Sequence, residues 1–322
     1  MSKHGKSSKT VKSRGVKPVL KWVGGKSQLL DKLMGNFPKN MHNYHEIFLG
    51  GGSVLLAFLT HLRINKKIEM TGNIYAYDLN EPLIGVYRNI QNSHEELYSE
   101  IGILIGHFND CGEGEVNRKP VSLEEAKGCK ENYYYWVRKE YNKLDAGGKT
   151  GIAGSAMFIF MNKTCFRGVF RVGPNGFNVP FGHNKNPEIV NRDHLTEVHK
   201  LIQGVNFVCG DFTTSLGNVT DEDYVYLDPP YAPGAEKSFV GYTEGGFNLD
   251  NHMNLFGILH TLTEKKQRFM LSNADVAIVR DNFGDERYNT TIVSARRTIN
   301  SKNPGSMANE VVITNYCVGT KW

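Results

Sequence analysis

Four consecutive residues, Asp228-Pro229-Pro230-Tyr231, combine a carboxylate, two prolines without backbone N–H groups and an aromatic ring. From average residue usage, such a tetrapeptide arises by chance in about one in a thousand chains of this length. Its residue types suit the activation of an exocyclic amino group, whose lone pair is delocalised into the base ring and attacks a methyl donor poorly. The Asp228 carboxylate and the Pro229 carbonyl can accept the two amino hydrogens, which favours a pyramidal nitrogen with a directed lone pair. Pro229 and Pro230 fix the backbone so that these acceptors need no ordering at each turnover, and Tyr231 offers a ring on which a base can stack. The bland alternative is a proline turn that ends a strand with a capping aspartate.

A second constellation lies upstream. Phe48-Leu49-Gly50-Gly51-Gly52 falls between a strand pattern and a helix pattern, where small residues permit a tight turn and close approach of a ligand. Asp78 closes the next strand pattern, where an acid can accept hydrogen bonds from both hydroxyls of a ribose. Together they point to an adenosine-type cofactor, although the nicotinamide-dinucleotide fingerprint is absent because Leu55 stands where its third glycine belongs. Lys21 to Ser27 resembles the end of a phosphate-binding loop, but Leu20 replaces the required first glycine. ATP hydrolysis is therefore not expected.

These residues need a sheet to hold them. Strand patterns at Tyr44 to Phe48, Asn73 to Tyr77, Val205 to Cys209, Tyr224 to Leu227 and Arg268 to Leu271 alternate with helix patterns at Ser53 to Leu62 and Asp250 to Lys265. Two late strands are expected near Thr290 to Ala295 and Val311 to Tyr316. Such alternation predicts an α/β fold, a doubly wound, largely parallel sheet whose strand ends carry the site. The alternation is interrupted between residues 81 and 191, where a helix pattern near Tyr133 to Leu144 sits among Gly/Asn/Pro-rich segments. An inserted second domain is the simplest reading, with residues 19–80 and 192–322 forming the catalytic domain.

Composition sets outer bounds. The chain has 322 residues, is 40% hydrophobic and carries a formal net charge of +5. Lys3, Lys6, Lys9, Lys12, Arg14 and Lys17 make residues 1–18 a basic tail without acids, expected to be disordered and suited either to touching phosphates or to solubility alone. It lacks the apolar core of a secretory signal, and no run approaches a membrane span. Five scattered cysteines without zinc spacing predict a reduced, intracellular protein with no structural metal.

The motifs KWVGGK, EIFLGGGS, YDLN, FNVPFG and DPPY, in this order, resemble the Dam-like D12 class of adenine-N6 DNA methyltransferases, of the α arrangement. The likeness runs from Val19 to Tyr316. It implies a Rossmann-like methyltransferase sheet that uses S-adenosylmethionine, with a mainly helical inserted target-recognition domain bearing a β-hairpin. It implies Asp228, Pro229, Pro230 and Tyr231 as the catalytic loop, and Trp22, Lys26, Phe48, Gly50, Gly52, Asp78, Asp211, Phe212 and Asp228 as cofactor contacts. It also implies a flipped-out adenine, since a stacked base cannot enter such a pocket.

For DNA, the resemblance points to Lys21 and to the stretch from Phe160 to Asn186. Arg167 and Arg171 are candidates for bidentate guanine contacts, with Asn178 and Pro180 of FNVPFG beside them. Members that modify GATC carry asparagine where Arg167 stands. CFRG, the GPNGFN turn and Asn300 to Pro304 are closer to the branch associated with CATG, which places that palindrome ahead of GATC. A restriction-modification role follows, with double-stranded DNA as partner and a cognate endonuclease acting on the same site without a stable complex. The rival readings are a cytosine-N4 methyltransferase, whose usual tetrapeptide begins with serine, and an idle sequence-specific DNA-binding module, which would need neither Asp228, Tyr231 nor Asp78.

Overall fold

A computed structural model describes residues 15–233, 246–296 and 307–318. Residues 1–14 of the basic tail and the Asn300 to Pro304 segment lie outside the described residues. The centre of the molecule is a seven-stranded sheet. Its strands are β1 (Tyr44–Glu46), β2 (Ile74–Asp78), β3 (Val205–Cys209), β4 (Tyr224–Leu227), β5 (Arg268–Ala274), β6 (Asn289–Arg296) and β7 (Met307–Thr314). They lie in the order β6-β7-β5-β4-β1-β2-β3. The run from β5 through β4, β1 and β2 to β3 is parallel, and β7 is antiparallel to both β5 and β6.

Every residue of β4 is buried. A strand covered on both faces reads as a continuous apolar run, and alternate residues serve opposite layers. Tyr224 and Tyr226 join the larger core cluster, while Val225 and Leu227 join the smaller one. The larger cluster continues without a break into residues of two helices, α3 (Lys130–Lys143) and α4 (Ile152–Thr164), through Tyr133, Tyr134, Phe158 and Phe160.

Between β1 and β2 lies helix α1 (Ser53–Leu59), and after β2 comes α2 (Glu81–Asn109). Asn80 caps α2 by accepting the Leu83 N–H, with a proline in the first turn. At Ser93 the backbone leaves helical geometry, with φ −145° and ψ 41°. Helix α2 packs on β2 and β3 and also on α4. Helices α5 (Arg192–Leu201), α6 (Phe212–Leu216) and α7 (Leu249–Glu264) complete the layers around the sheet.

Three local expectations are refined. Regular pairing of the first strand ends at Glu46, yet Ile47 and Leu49 still donate to the Tyr226 and Tyr77 carbonyls, so extended chain reaches the glycine turn. The helix expected to reach Leu62 stops at Leu59 and opens into a π turn over Thr60–Ile64, where the Thr60 hydroxyl bonds back to the Leu56 carbonyl. Phe160 to Thr164 finish α4, so the hairpin itself is only Val172–Gly173 paired with Gly176–Phe177.

The chain runs from β1 outward through β2 to β3, then returns to β4 and proceeds to β5 on the other side. Strand order therefore reverses between β1 and β4, the crevice where open α/β sheets bind ligands. The glycine turn leaves β1 and the Asp228 loop leaves β4 at that crevice.

Candidate active site

Asp228 emerges directly from the buried end of β4 and meets Lys26, whose Nζ lies 2.7 Å from Asp228 Oδ1. Lys26 is 2% exposed, and its ammonium also donates to the Tyr231 hydroxyl at 3.2 Å and to the Gly24 carbonyl at 3.2 Å. Its backbone N–H is held by the Ser53 hydroxyl at the start of α1. Burial opposes the charged form, but Asp228, Tyr231 and Glu310 beside it hold Lys26 protonated above the usual lysine range. For Asp228 burial dominates, and despite Lys26 its carboxyl is pushed up to about 6.

Side chains from three elements anchor the loop. Tyr231 donates its hydroxyl proton to Glu310 Oε1 of β7 at 2.5 Å. Ala232 N–H donates to Asn273 Oδ1 of β5 at 2.9 Å. Nε2 of His252, a 0% exposed residue of α7, lies 3.0 Å from the Pro230 carbonyl oxygen. Because Pro229 and Pro230 offer no N–H, anchoring must act on carbonyls, side chains or the residues that follow. The other ring nitrogen of His252 lies 2.9 Å from the Asn248 carbonyl, which already accepts the His252 backbone N–H. Among the described residues, His252 Nε2 is the group placed to donate to the Pro230 carbonyl.

Below the loop, Glu46 ends β1 and accepts the Tyr44 hydroxyl proton at 2.7 Å. Burial raises its carboxyl to about 8, so it keeps its proton at neutral pH.

Sequence reasoning did not single out Glu310, His252, Asn273 or Glu46. The available signal was weak: Glu310 is an acid flanking the apolar run Val311 to Ile313, Glu46 opens EIFLGGGS ahead of its glycines, and His252 and Asn273 carry no motif.

The glycine turn is shaped by its neighbours. Gly50 and Gly52 have φ of +50° and +68°, a region that side chains with Cβ rarely adopt. A Cβ on Gly50 would lie 2.8 Å from Trp22 Cδ1, and one on Gly52 would lie 2.5 Å from the Tyr87 hydroxyl. Trp22 therefore packs directly on the turn, with Phe158 and Phe170 stacked near it at 6.5 and 6.0 Å. Asp78 accepts the Gly50 N–H at 2.9 Å and the Asn80 N–H at 2.9 Å. Burial raises the Asp78 carboxyl despite those bonds. Beside it, Phe48 stacks near Phe212 at 6.1 Å, and Phe247 contacts both rings.

The carboxylate of Asp211 has a structural duty. It caps α6, accepting the N–H groups of Thr213 and Thr214 at 2.7 and 3.0 Å, and the Thr213 hydroxyl bond, together with those N–H bonds, lowers it to about 2. It is Phe212, rather than the Asp211 side chain, that joins the aromatic group.

Asn162 ties the Lys21 segment to the hairpin region. Its Oδ1 accepts the Lys21 N–H at 2.8 Å, while its Nδ2 donates to the carbonyls of Lys21 and Gly168. Lys163 follows it in α4, and burial, reinforced by the charge of Lys21, lowers its ammonium to about 8. Arg167 adopts φ +57° and stands over the exposed Phe166 ring at 5.1 Å. Arg171 Nε donates to Asn178 Oδ1 at 2.6 Å across the hairpin, and the Pro180 carbonyl accepts the Phe166 N–H. The structure thus gathers Lys21, Arg167, Arg171, Asn178 and Pro180 around one hairpin, with Arg171 and Asn178 bonded to each other.

A family model for D12 class N6 adenine-specific DNA methyltransferases matches residues 22–299. The chain belongs to that family. It is 36% identical over 312 residues to the type II methyltransferase M.MjaIII of Methanocaldococcus jannaschii, covering 94% of this chain and 99% of the relative. It is 28% identical over 306 residues to the type II methyltransferase M1.LlaDCHI of Lactococcus lactis, covering 94% and 96%. The DNA adenine methylase of Escherichia coli K12 is 28% identical over 284 residues, covering 88% of each chain. As a D12 class member the protein is an adenine-specific DNA methyltransferase, which sets aside the cytosine-N4 reading. Among the described residues, no helix is long and apolar enough to cross a membrane.

Proposed function

We propose that the protein methylates N6 of an adenine flipped out of a short palindromic site in duplex DNA, with S-adenosylmethionine as donor. The observation that carries this reading is the cluster of Lys26, Asp228 and Tyr231 at the sheet's switch point, beside the glycine turn and Asp78. The residues present fit the cofactor. Gly50 and Gly52 keep the turn free of side chains, and the Asp78 carboxylate retains lone pairs for ribose hydroxyls. Phe48 and Phe212 offer faces for an adenine, Trp22 and Lys26 close the methionine side, and the Asp228 and Glu310 carboxylates favour a nearby positive sulfonium. When bound, the cofactor supplies an activated methyl group.

The chain's own residues do the rest. Asp228 and the Pro229 carbonyl accept the amino hydrogens of the adenine and direct its lone pair, Pro229 and Pro230 hold those acceptors still, and Tyr231 stacks on the base. As the nitrogen gains positive charge, the Asp228 carboxylate stabilises it from a buried position, where electrostatic interactions are stronger than in water. The emerging base leaves its stack to reach this loop.

Residues 81–191 serve as the target-recognition domain in this reading, and residues 19–80 with 192–322 as the catalytic domain. Arg167 and Arg171 read base edges with Asn178 and Pro180, while Lys21 enters from the catalytic side. The site is CATG or GATC, and the two type II relatives support a restriction-modification role beside an endonuclease of the same specificity. Methyl transfer to duplex oligonucleotides carrying CATG, GATC or neither, with an RNA duplex alongside, tests this. Label confined to one of the two palindromes supports the reading. Equal label in all DNA duplexes, or label in RNA alone, overturns it.

A further inference from the structure

Lys26 carries three N–H bonds, and three acceptors already surround it: Asp228 Oδ1, the Tyr231 hydroxyl oxygen and the Gly24 carbonyl. Glu310 Oε2 lies 3.7 Å from the same ammonium, close enough for an ion pair and too far for a hydrogen bond. Among the described residues that oxygen is buried with no hydrogen-bond partner, whereas Oε1 of the same carboxylate holds the Tyr231 hydroxyl at 2.5 Å. Two carboxylates, one just past the end of β4 and one on β7, therefore share one buried ammonium, and one of them is underused.

This arrangement conflicts with the task assigned to Asp228. A carboxylate oxygen bound at 2.7 Å by an ammonium is a weakened acceptor for an incoming amino group, because its electron density is already drawn toward a full positive charge. Moving Nζ by roughly 1 Å would convert the long Glu310 contact into a hydrogen bond of ordinary length. Lys26 would remain charged and paired, so no buried ion would be left alone, a state that is costly in a protein interior.

We propose that Glu310 is a positioning residue of the methyl-transfer site: it receives the Lys26 ammonium as Asp228 takes up the target amino group, and it holds Tyr231 in place throughout. The inference rests on the reading of Asp228 as the acceptor for that amino group. In this proposal Glu310 acts on the target amino group through Lys26 and Tyr231 rather than by contact with it. The element supplying it is the antiparallel strand β7, whose first residues lie at the same sheet edge as the ends of β4 and β5 because Glu310 pairs with Ala274.

A double-mutant cycle tests the coupling. Glu310→Gln keeps an oxygen for Tyr231 but removes the charge that competes for Lys26. It should lower the single-turnover rate by about tenfold to a hundredfold, the range of one charge-assisted hydrogen bond, while leaving DNA affinity unchanged. The acid limb of kcat/KM should also move to lower pH, because Glu310 is one of the charges that raise Asp228. In a Lys26→Met background, where nothing competes for Asp228, the same substitution should have little further effect on the rate.

A full Glu310→Gln loss persisting in the Lys26→Met background, or an unchanged rate in the single variant, overturns the proposal. If Glu310→Gln does not fold, Glu310→Asp takes its place in the same cycle. Its shorter arm should reduce the rate severalfold, and only when Lys26 is present. Asp228→Asn separates the two levels of argument. Full turnover in Asp228→Asn would remove the underlying reading, whereas an inactive Asp228→Asn beside a wild-type Glu310→Gln would remove the Glu310 proposal alone.

Discussion

The crevice between β1 and β4 and the hairpin region after α4 are built by opposite rules. In the crevice, Lys26 is buried against Asp228, and the loop is held by Glu310, Asn273 and His252 from three separate elements. In the hairpin, Arg171 and Asn178 are exposed and bonded to each other, and Pro180 is exposed beside them. Chemistry at an amino nitrogen needs acceptors that are fixed before the base arrives. Reading a duplex needs side chains that exchange their own hydrogen bonds for base edges. On the proposed function, the difference separates a part that makes the reaction fast from a part that selects where it happens.

Substitutions in the two regions should therefore fail in different ways. The largest effect is expected from Asp228→Ala, which removes a preorganised acceptor. Methyl transfer should fall by about a thousandfold or more, while DNA affinity in a gel-shift or anisotropy titration stays near wild type. Arg171→Ala should do the reverse. It should weaken binding to the cognate duplex by about 1–3 kcal/mol and relax discrimination at one base pair, with the rate at saturating DNA largely kept. Equal losses of rate in both variants would erase the distinction between the regions.

The pH profile sharpens the same contrast. In the proposed mechanism the ionised Asp228 carboxylate is the acceptor for an amino hydrogen, and its carboxyl is raised to about 6, so protonation on the acid side weakens that acceptor. Below that value kcat/KM should fall about tenfold per pH unit, and above it the curve should be flat through neutrality. DNA affinity should not follow this limb. A smaller effect is expected from His252→Phe, which keeps ring volume but loses the donor to the Pro230 carbonyl. A rate loss of about tenfold with unchanged DNA binding fits a single lost hydrogen bond, and His252→Gln, which can still donate, should recover part of it.

The sequence made the crevice more legible than the hairpin, for physical reasons. A strand covered on both faces must be apolar throughout, so Tyr224 to Leu227 announced itself and placed Asp228 at its end. Gly50, Gly52 and Asp78 were readable because a tight turn and a strand-end acid leave local signatures. Glu310, His252 and Asn273 were not, because each reaches the loop from a distant segment and no spacing encodes that meeting. Asp211 shows a different limit: its motif position points to a cofactor contact, and its local duty as a helix cap is visible only in the folded chain.

Helix α4 escaped because Ile152 to Phe160 is apolar apart from Ser155, which leaves no polar stripe to reveal a helical period. Helix α2 was obscured by the break at Ser93. In the hairpin, the residue types were visible, but the Arg171–Asn178 bond and the clamp from Asn162 to Lys21 and Gly168 arise only from the folded chain.

The central claim is that the buried cluster around Asp228 transfers methyl groups to the adenine amino nitrogen of DNA. Its most direct test is to incubate the purified protein with methyl-labelled S-adenosylmethionine and duplex DNA, digest the product to nucleosides, and locate the label. The account predicts label in N6-methyldeoxyadenosine with the wild-type protein and none above background with Asp228→Ala. Label in a cytosine nucleoside, or undiminished adenine label from Asp228→Ala, would contradict it.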